Sequence, residues 1–208
     1  AKSFVETLNL SLLQCLIKKE IMSMDEMIKD FEIKKVSKAP TFFDFKKMLW
    51  VGNKYYISLP DEQYFKYIDK YVTVDFKEFA NRKNDIILMY KKQIAYAQQL
   101  NQLINETFFT PIDYEKQLVK DLAQDINQKT LHSFNECLNK NTKPLDFDCA
   151  KDLIKQTQEL SGNKGQNLYM PLRLALTGQE HGPELNKIIS ILGKDIIIDR
   201  LKKVLVYK

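Results

Sequence analysis

Two histidines are the only imidazoles in the chain, His132 within a helical pattern and His181 in a turn, and neither pairs with a Ser or Cys in a way that would activate a nucleophile. Ser161-Gly162-Asn163-Lys164-Gly165 has the glycines of a phosphate-gripping loop. It follows a helix rather than a strand, however, and lacks the Gly-Lys-Ser/Thr element, so it reads as a turn. Asp195 and Asp199, four residues apart, share a helical face with Lys202 and Lys203 nearby, which suits solvated ion pairing better than acid–base work. Cys15, Cys137 and Cys149 are odd in number and lack Cys-x-x-Cys spacing, so they read as reduced core thiols rather than a disulfide framework or zinc site. No catalytic or metal-binding residue is assigned.

Positive charge is the more informative chemistry. Residues 33–57 hold Lys34, Lys35, Lys38, Lys46, Lys47 and Lys54 against the single acid Asp44, a local charge of +5. Phe42, Phe43, Trp50, Tyr55 and Tyr56 are interleaved with them, a composition suited to phosphate and sugar contact. A solvated lysine face over an aromatic core has the same composition. A second basic stretch, Lys194, Arg200, Lys202, Lys203 and Lys208, is diluted by Asp195 and Asp199.

The elements that must position these residues read as helical. The 208 residues include only six glycines and six prolines, with 44% hydrophobic and 28% charged residues and a net charge of +5, an ordinary globular composition for one or two domains. No apolar run approaches a membrane span, and Glu6 falls where a signal peptide would need its apolar core. A first helix is expected over 4–18, through Leu8, Leu12, Cys15 and Leu16. Ser23 and Glu26 have capping-box spacing for a helix reaching about Phe31. Thr41 or Asp44 caps the next, which buries Phe42, Phe45, Leu49 and Trp50 and ends at Gly52-Asn53. Another starts at Ser58–Asp61, with Tyr64, Phe65 and Ile68 as its stripe, and a long helix fits between Asp75 and Glu106. Amphipathic segments follow over 114–123 and 126–138, and Asp148 caps a helix from Cys149 to Leu160. A brief helix over 170–177 stops at Gly178. Gly182 as N-cap and Pro183 at the first helical position open a helix to Gly193, and a final helix runs from Lys194 to Val206.

At Met170-Pro171-Leu172-Arg173-Leu174-Ala175-Leu176-Thr177-Gly178, then His181-Gly182-Pro183-Glu184-Leu185 and Ile191-Leu192-Gly193-Lys194, the chain resembles the carboxy-terminal end of bacterial glutamyl-tRNA synthetases. Ser23–Phe31, Val36–Pro40, Phe43-Asp44 and Lys47–Trp50 carry the same likeness in the same order. The likeness is carried by residues 21–56 and 165–206, with the middle matching as helices of suitable length. It implies an all-α fold: the end of a stem-contact domain over 1–57, then a two-part anticodon-binding region over 58–110 and 111–208. The His-x-Gly-His signature and the Lys-x-Ser-Lys-Arg loop of the family's catalytic fold do not occur, and Val36-Ser37-Lys38-Ala39-Pro40 is not the latter. The resemblance therefore implies a fragment that binds without catalysing, from a cytoplasmic ligase that attaches glutamate to tRNA with ATP and magnesium. Its implied partners are tRNA(Glu), with tRNA(Gln) a second candidate, and the amino-terminal catalytic domain of the same parent; no cofactor is implied for the fragment and no membrane.

The same resemblance implies the contacts. Arg173 matches the arginine of a Pro-Leu-Arg motif that faces anticodon bases, where a guanidinium stacks or makes paired hydrogen bonds. Gly182, Pro183 and Leu185 match the turn packed against those bases, although Leu185 suits a core position equally. His181 fits a stacking contact and an ordinary exposed turn alike. Lys46, Lys47, Trp50 and Lys54 are candidates for RNA backbone or stem contact. Gln93 stands where family members often carry an arginine that reads the third anticodon base, with Lys92 or Lys91 replacing it if the register slips. A neutral amide there implies relaxed discrimination between glutamate and glutamine tRNAs. Tyr56-Ile57, where the family tends to have Ile-Arg, removes a further RNA contact. A helical protein-interaction domain with an incidental basic surface is the alternative compatible with the same helices.

Overall fold

The computed structural model describes residues 21–35 and 43–206, so the helix expected over 4–18 and the segment 36–42 lie outside the described residues. Among the described residues the regular elements are helical and no strand occurs. None of those helices is long and apolar enough to cross a membrane. The chain divides into two compact units, Ala1–Thr73 with Tyr90–Asn101, and Val74–Met89 with Gln102–Lys208.

In the first unit, α1 (Met24–Asp30) begins with the expected capping box: the Ser23 N–H donates to Glu26 Oε2 at 2.8 Å and the Glu26 N–H donates to Ser23 Oγ at 3.2 Å. Its Met27 packs in a small core with Val51 and Met22. Asp44 caps α2 (Phe45–Ser58) by accepting the Lys47 N–H at 3.0 Å, while the other candidate cap, Thr41, lies outside the described residues. Two expectations for α2 fail. Its buried residues are Val51 and Tyr56, while Phe45 and Trp50 are 57% and 40% exposed. It also runs straight through Gly52-Asn53. A Cβ on Gly52 would collide with the Ala95 carbonyl oxygen, and the Asn53 amide donates to the carbonyls of Lys92 and Ile94 at 2.9 and 3.0 Å. Both residues serve close approach by the 90–97 segment rather than helix termination.

Helix α3 (Asp61–Ile68) starts after Pro60 with Asp61 and Glu62 in its first turn, favourable against the helix dipole, and buries Tyr64 and Ile68 completely. Tyr56 meets Tyr64 and Tyr67 edge-on, with ring centroids 6.0 and 5.8 Å apart.

The long helix expected between Asp75 and Glu106 is broken. A 3₁₀ segment, Lys77–Arg82, leads into α4 (Lys83–Met89); an irregular stretch follows, then α5 (Gln99–Ile104) and a π-helical turn, Asn105–Phe109. The apolar spacing was read correctly, since Ile86, Ile87, Tyr90, Ile94, Ala97 and Ile104 are all buried. They nevertheless serve two separate cores, with Tyr90, Ile94 and Ala97 in the first unit and the others in the second.

In the second unit α6 (Gln117–Lys120) and a 3₁₀ turn precede α7 (Asp125–Lys140), which packs on α8 (Phe147–Ser161) and α9 (Gln166–Thr177). Helix α10 (Leu185–Lys202) packs on α8 and α9 and is interrupted at Gly193, whose φ of 72° breaks the helical run where the sequence reading divided it. The cap of α8 is Asp146, which accepts the Cys149 N–H at 2.8 Å; Asp148 lies in the first turn. Helix α9 starts four residues before Met170 and contains Pro171. Proline removes the N–H that would pair with the Asn167 carbonyl, and the Thr130 hydroxyl donates to that oxygen instead, at 3.0 Å. Helix α10 stops at Lys202, short of the expected Val206. Gln128, on α7, donates to the Leu122 and Val204 carbonyls and accepts the Val206 N–H, each at 2.8 Å. His132 hydrogen-bonds the Val206 carbonyl at 3.0 Å. Cys137 is a buried free thiol and Cys149 a half-buried one.

Burial raises the pKa values of Tyr56 and Tyr64 above the ordinary 10.0, with Tyr67 contributing next at Tyr56 and Asp61 at Tyr64. Raised folded values make their contribution to stability complete below pH 10.0 and lost as pH rises above it, because the unfolded chain ionises first. In an alkaline titration the phenolate absorbance of these two residues should appear together with loss of helical circular dichroism. Ionisation of every tyrosine near pH 10.0 with helicity intact would contradict this burial.

Candidate nucleic-acid interface

Helix α9 ends at Gly178, in left-handed conformation with φ 68°, where a Cβ would press to 3.0 Å from the Ile112 side chain. Residues 178–184 then form an irregular turn before α10. Helix α10 begins at Leu185 with Glu184 as its N-cap, two residues later than the Gly182–Pro183 start read from sequence. The extended ψ of 128° at Glu184 keeps Gly182 and Pro183 outside the helix.

Arg173 is the brace of this turn. From within α9 its Nη2 donates to the Pro183 carbonyl at 2.8 Å, and its Nη1 is buried. Gly182, with φ 155°, lies so close that a Cβ there would come within 3.1 Å of Nη1. His181 and Gly182 are exposed, whereas Pro183 and Leu185 are buried, Leu185 to 4% exposure. The core position open to Leu185 in the sequence is the one it occupies. Glu184, an acid at this otherwise presentable edge, is offset by Lys187, whose Nζ lies 3.0 Å from Glu184 Oε1.

The other end of the turn has an anchorage that the sequence reading did not identify. The Thr177 hydroxyl donates to the Arg173 carbonyl at 2.8 Å and accepts the Gln179 N–H at 3.2 Å. The Gln179 side-chain amide reaches Glu106 Oε2 at 3.4 Å, and the Thr107 hydroxyl donates to Gln179 Oε1 at 3.5 Å. Arg200, recorded in the sequence only as one basic residue among several, donates through Nη1 to the carbonyls of Leu176 and Thr107. The missed signal was a lone arginine at an inward-facing helical position.

In the first unit, Lys46, Trp50 and Lys54 recur at four-residue steps on α2 and are exposed, and Lys47 is half-buried. The Lys54 ammonium lies 5.7 Å from the Trp50 ring centroid. Tyr56 is a core residue and Ile57 an exposed one. Gln93 is exposed in the irregular stretch after α4, its N–H donating to the Tyr90 carbonyl at 2.8 Å. Lys92 is exposed beside it. Lys91, the other register alternative, is engaged: its Nζ lies 2.6 Å from Asp61 Oδ1 and 2.5 Å from the Leu59 carbonyl, and 5.5 Å from the Tyr64 ring centroid. The structure thus brings Arg173 of α9 and Leu185 of α10 to the turn that holds His181, Gly182 and Pro183, all in the second unit; Gln93 and the α2 residues belong to the first. Among the described residues no group of three or more His, Cys, Asp or Glu could hold a metal ion.

Residues 53–205 match the family model described as an anticodon binding domain. The chain is similar to the glutamate–tRNA ligase of Malacoplasma penetrans, 38% identical over 191 residues, covering 90% of this chain and 39% of that protein. The glutamate–tRNA ligase of Mycoplasma genitalium is 34% identical over 187 residues, covering 88% of this chain and 38% of its own length. A solved glutamate–tRNA synthetase from Elizabethkingia anophelis aligns with a TM-score of 0.73 at 24% identity, over 98% of this chain and 40% of that one, which establishes likeness of fold. The resemblance carried by the Pro-Leu-Arg and His-Gly-Pro motifs is borne out, and the chain spans 39% of the length of the first of these relatives.

The close approach of Gly182 to Arg173 predicts that Gly182→Ala costs about 1–3 kcal/mol, through strain at its positive φ and displacement of the guanidinium. Urea denaturation of the variant beside wild type checks this. Equal midpoints would show that the turn tolerates a side chain and that the brace is loose.

Proposed function

The chain belongs to the anticodon binding domain family, and from that premise we propose that it recognises the anticodon loop of tRNA on behalf of a glutamate–tRNA ligase. The observation that carries this reading is the turn at 178–184, where exposed His181 and Gly182 are held over a guanidinium braced on the Pro183 carbonyl. Sequence-specific RNA readers address unstacked loop bases by stacking and by hydrogen bonds to base edges. An imidazole and a glycine backbone without side-chain obstruction together offer both kinds of contact. Arg173 contributes to recognition by shaping the turn from beneath, with Nη2 on the Pro183 carbonyl and Nη1 buried. Pro183 and Leu185 support the turn from the core.

The exposed Lys46, Trp50 and Lys54 of α2, with Lys47, contact the RNA backbone or stem, where ammonium groups neutralise phosphates and the indole covers sugar. Gln93 addresses the third anticodon base. With an amide in place of a guanidinium, discrimination there is relaxed and tRNA(Gln) is accepted along with tRNA(Glu).

In this reading the parent enzyme works in the cytoplasm and joins glutamate to tRNA at the expense of ATP, with magnesium, in an amino-terminal catalytic domain. No residue of this chain is assigned to that chemistry, and the chain alone is not expected to glutamylate tRNA.

Binding of tRNA(Glu) across a salt series tests the proposal. Each phosphate neutralised should contribute about −0.7 to −0.9 to the slope of log affinity against log salt. Arg173→Ala should cost on the order of 1–3 kcal/mol against the cognate anticodon and little against a tRNA altered there. Gln93→Arg should sharpen preference at the third base. Absence of tRNA binding, or salt-insensitive binding blind to the anticodon, would contradict the reading and favour a helical protein-interaction domain.

A further inference from the structure

Arg200 is a half-buried cation of the second unit that donates to two backbone carbonyls. These acceptors are the carbonyls of Leu176 and Thr107, and burial lowers its pKa from the ordinary value, with Tyr114 opposing that shift. Withdrawing a guanidinium from water is costly unless its N–H groups find acceptors, and an arginine retains its charge even so. The acceptors here are well chosen for a cation. Leu176 lies in the last turn of α9, and Thr107 in the π-helical turn Asn105–Phe109. Carbonyls at helix C-terminal ends lack intrahelical partners and carry the negative end of the helix dipole. A single guanidinium group thus joins the ends of two helical segments.

Those two ends are also where the turn at 178–184 originates. Gly178 follows the Leu176 turn directly, and its N–H donates to the Leu174 carbonyl at 2.8 Å. Gln179, the next residue, contacts Glu106 and Thr107 of the same π-helical turn that Arg200 grips. Helical turns of this kind are rare and recur at functional sites. Arg200 therefore ties the entrance of the turn to the π-helical segment, while Arg173 ties its exit at Pro183. Without the first tie, the other end of the loop would rest on Thr177 and on the long Gln179 contacts of 3.4 and 3.5 Å alone.

We propose that Arg200 is a positioning residue for anticodon discrimination, fixing the base of the 178–184 turn through the Leu176 and Thr107 carbonyls without itself touching RNA. This inference rests on the proposed reading of that turn. A lysine restores the charge, but its ammonium is more strongly hydrated than the guanidinium Nη1 that meets both carbonyls, so Arg200→Lys retains part of the effect.

The experiment compares this chain and its variants in binding a tRNA(Glu) transcript and the same transcript with altered anticodon bases, over a salt series. The readout is the ratio of the two Kd values beside the salt slope. In Arg200→Gln the ratio should fall about fivefold with the salt slope unchanged, and Arg200→Lys should fall between the variant and wild type. A wild-type chain with no anticodon-dependent ratio would overturn the underlying reading and this inference with it. A wild-type ratio that persists in folded Arg200→Gln would overturn this inference alone, as would an equal loss of ratio and salt slope. If circular dichroism shows Arg200→Gln unfolded, Arg200→Lys decides: faster amide exchange at residues 178–182 with a reduced ratio supports the role, and wild-type values of both overturn it.

Discussion

The candidate surface depends on a hydrogen bond from the Arg173 guanidinium to the Pro183 carbonyl, because the intervening backbone belongs to no helix and must be held by side chains. An irregular turn loses more conformational entropy on ordering than its own few contacts return, so its shape has to be imposed from the scaffold. Arg173 does this from the middle of α9. The same helix supplies Thr177 at its end, whose hydroxyl ties the Arg173 carbonyl to the Gln179 amide. Both exposed residues of the turn, His181 and Gly182, are therefore displayed by a framework that reaches them from below.

That framework is rigid where its sequence looks weakest. Pro171 lies inside α9 and deprives Asn167 of its helical partner, but the Thr130 hydroxyl of α7 takes the vacated carbonyl and ties the two helices together. Gly52 lies inside α2 and allows the Ala95 carbonyl to approach where a side chain would block it. In each case a residue unfavourable for helix propensity is retained because a neighbouring segment exploits the gap, and tertiary contact outweighs local preference.

Much of the helical architecture was legible from spacing and caps. The Ser23–Glu26 capping box, the Asp44 cap, the start of α3 after Pro60 and the glycine stops at Gly162, Gly178 and Gly193 all follow local rules, and local rules can be read from a few residues. The failures share a different cause. Ile86, Tyr90, Ile94 and Ile104 have helical spacing, but the spacing cannot reveal that two compact units divide the buried residues between them. The orientation of α2 was misjudged because aromatic residues were assumed to be core, whereas Trp50 is left half in solvent beside Lys54. At the candidate site, the motif around Arg173 and His181–Leu185 pointed to the turn itself. The bracing direction of Arg173, the burial of Pro183 and Leu185 and the anchorage by Arg200 are not legible in the sequence, since each joins residues distant in sequence or depends on a backbone carbonyl that any residue type supplies.

The most direct measurement is residue-resolved amide chemical-shift mapping of this chain as an anticodon stem-loop RNA is added, beside a stem-loop with the same stem and an altered loop. The account predicts that His181, Gly182 and Glu184 move with the cognate loop and far less with the altered one, while the Thr130–Asn167 helix contact stays in place. Equal shifts for both RNAs, or a turn that remains unmoved while other surfaces respond, would contradict it.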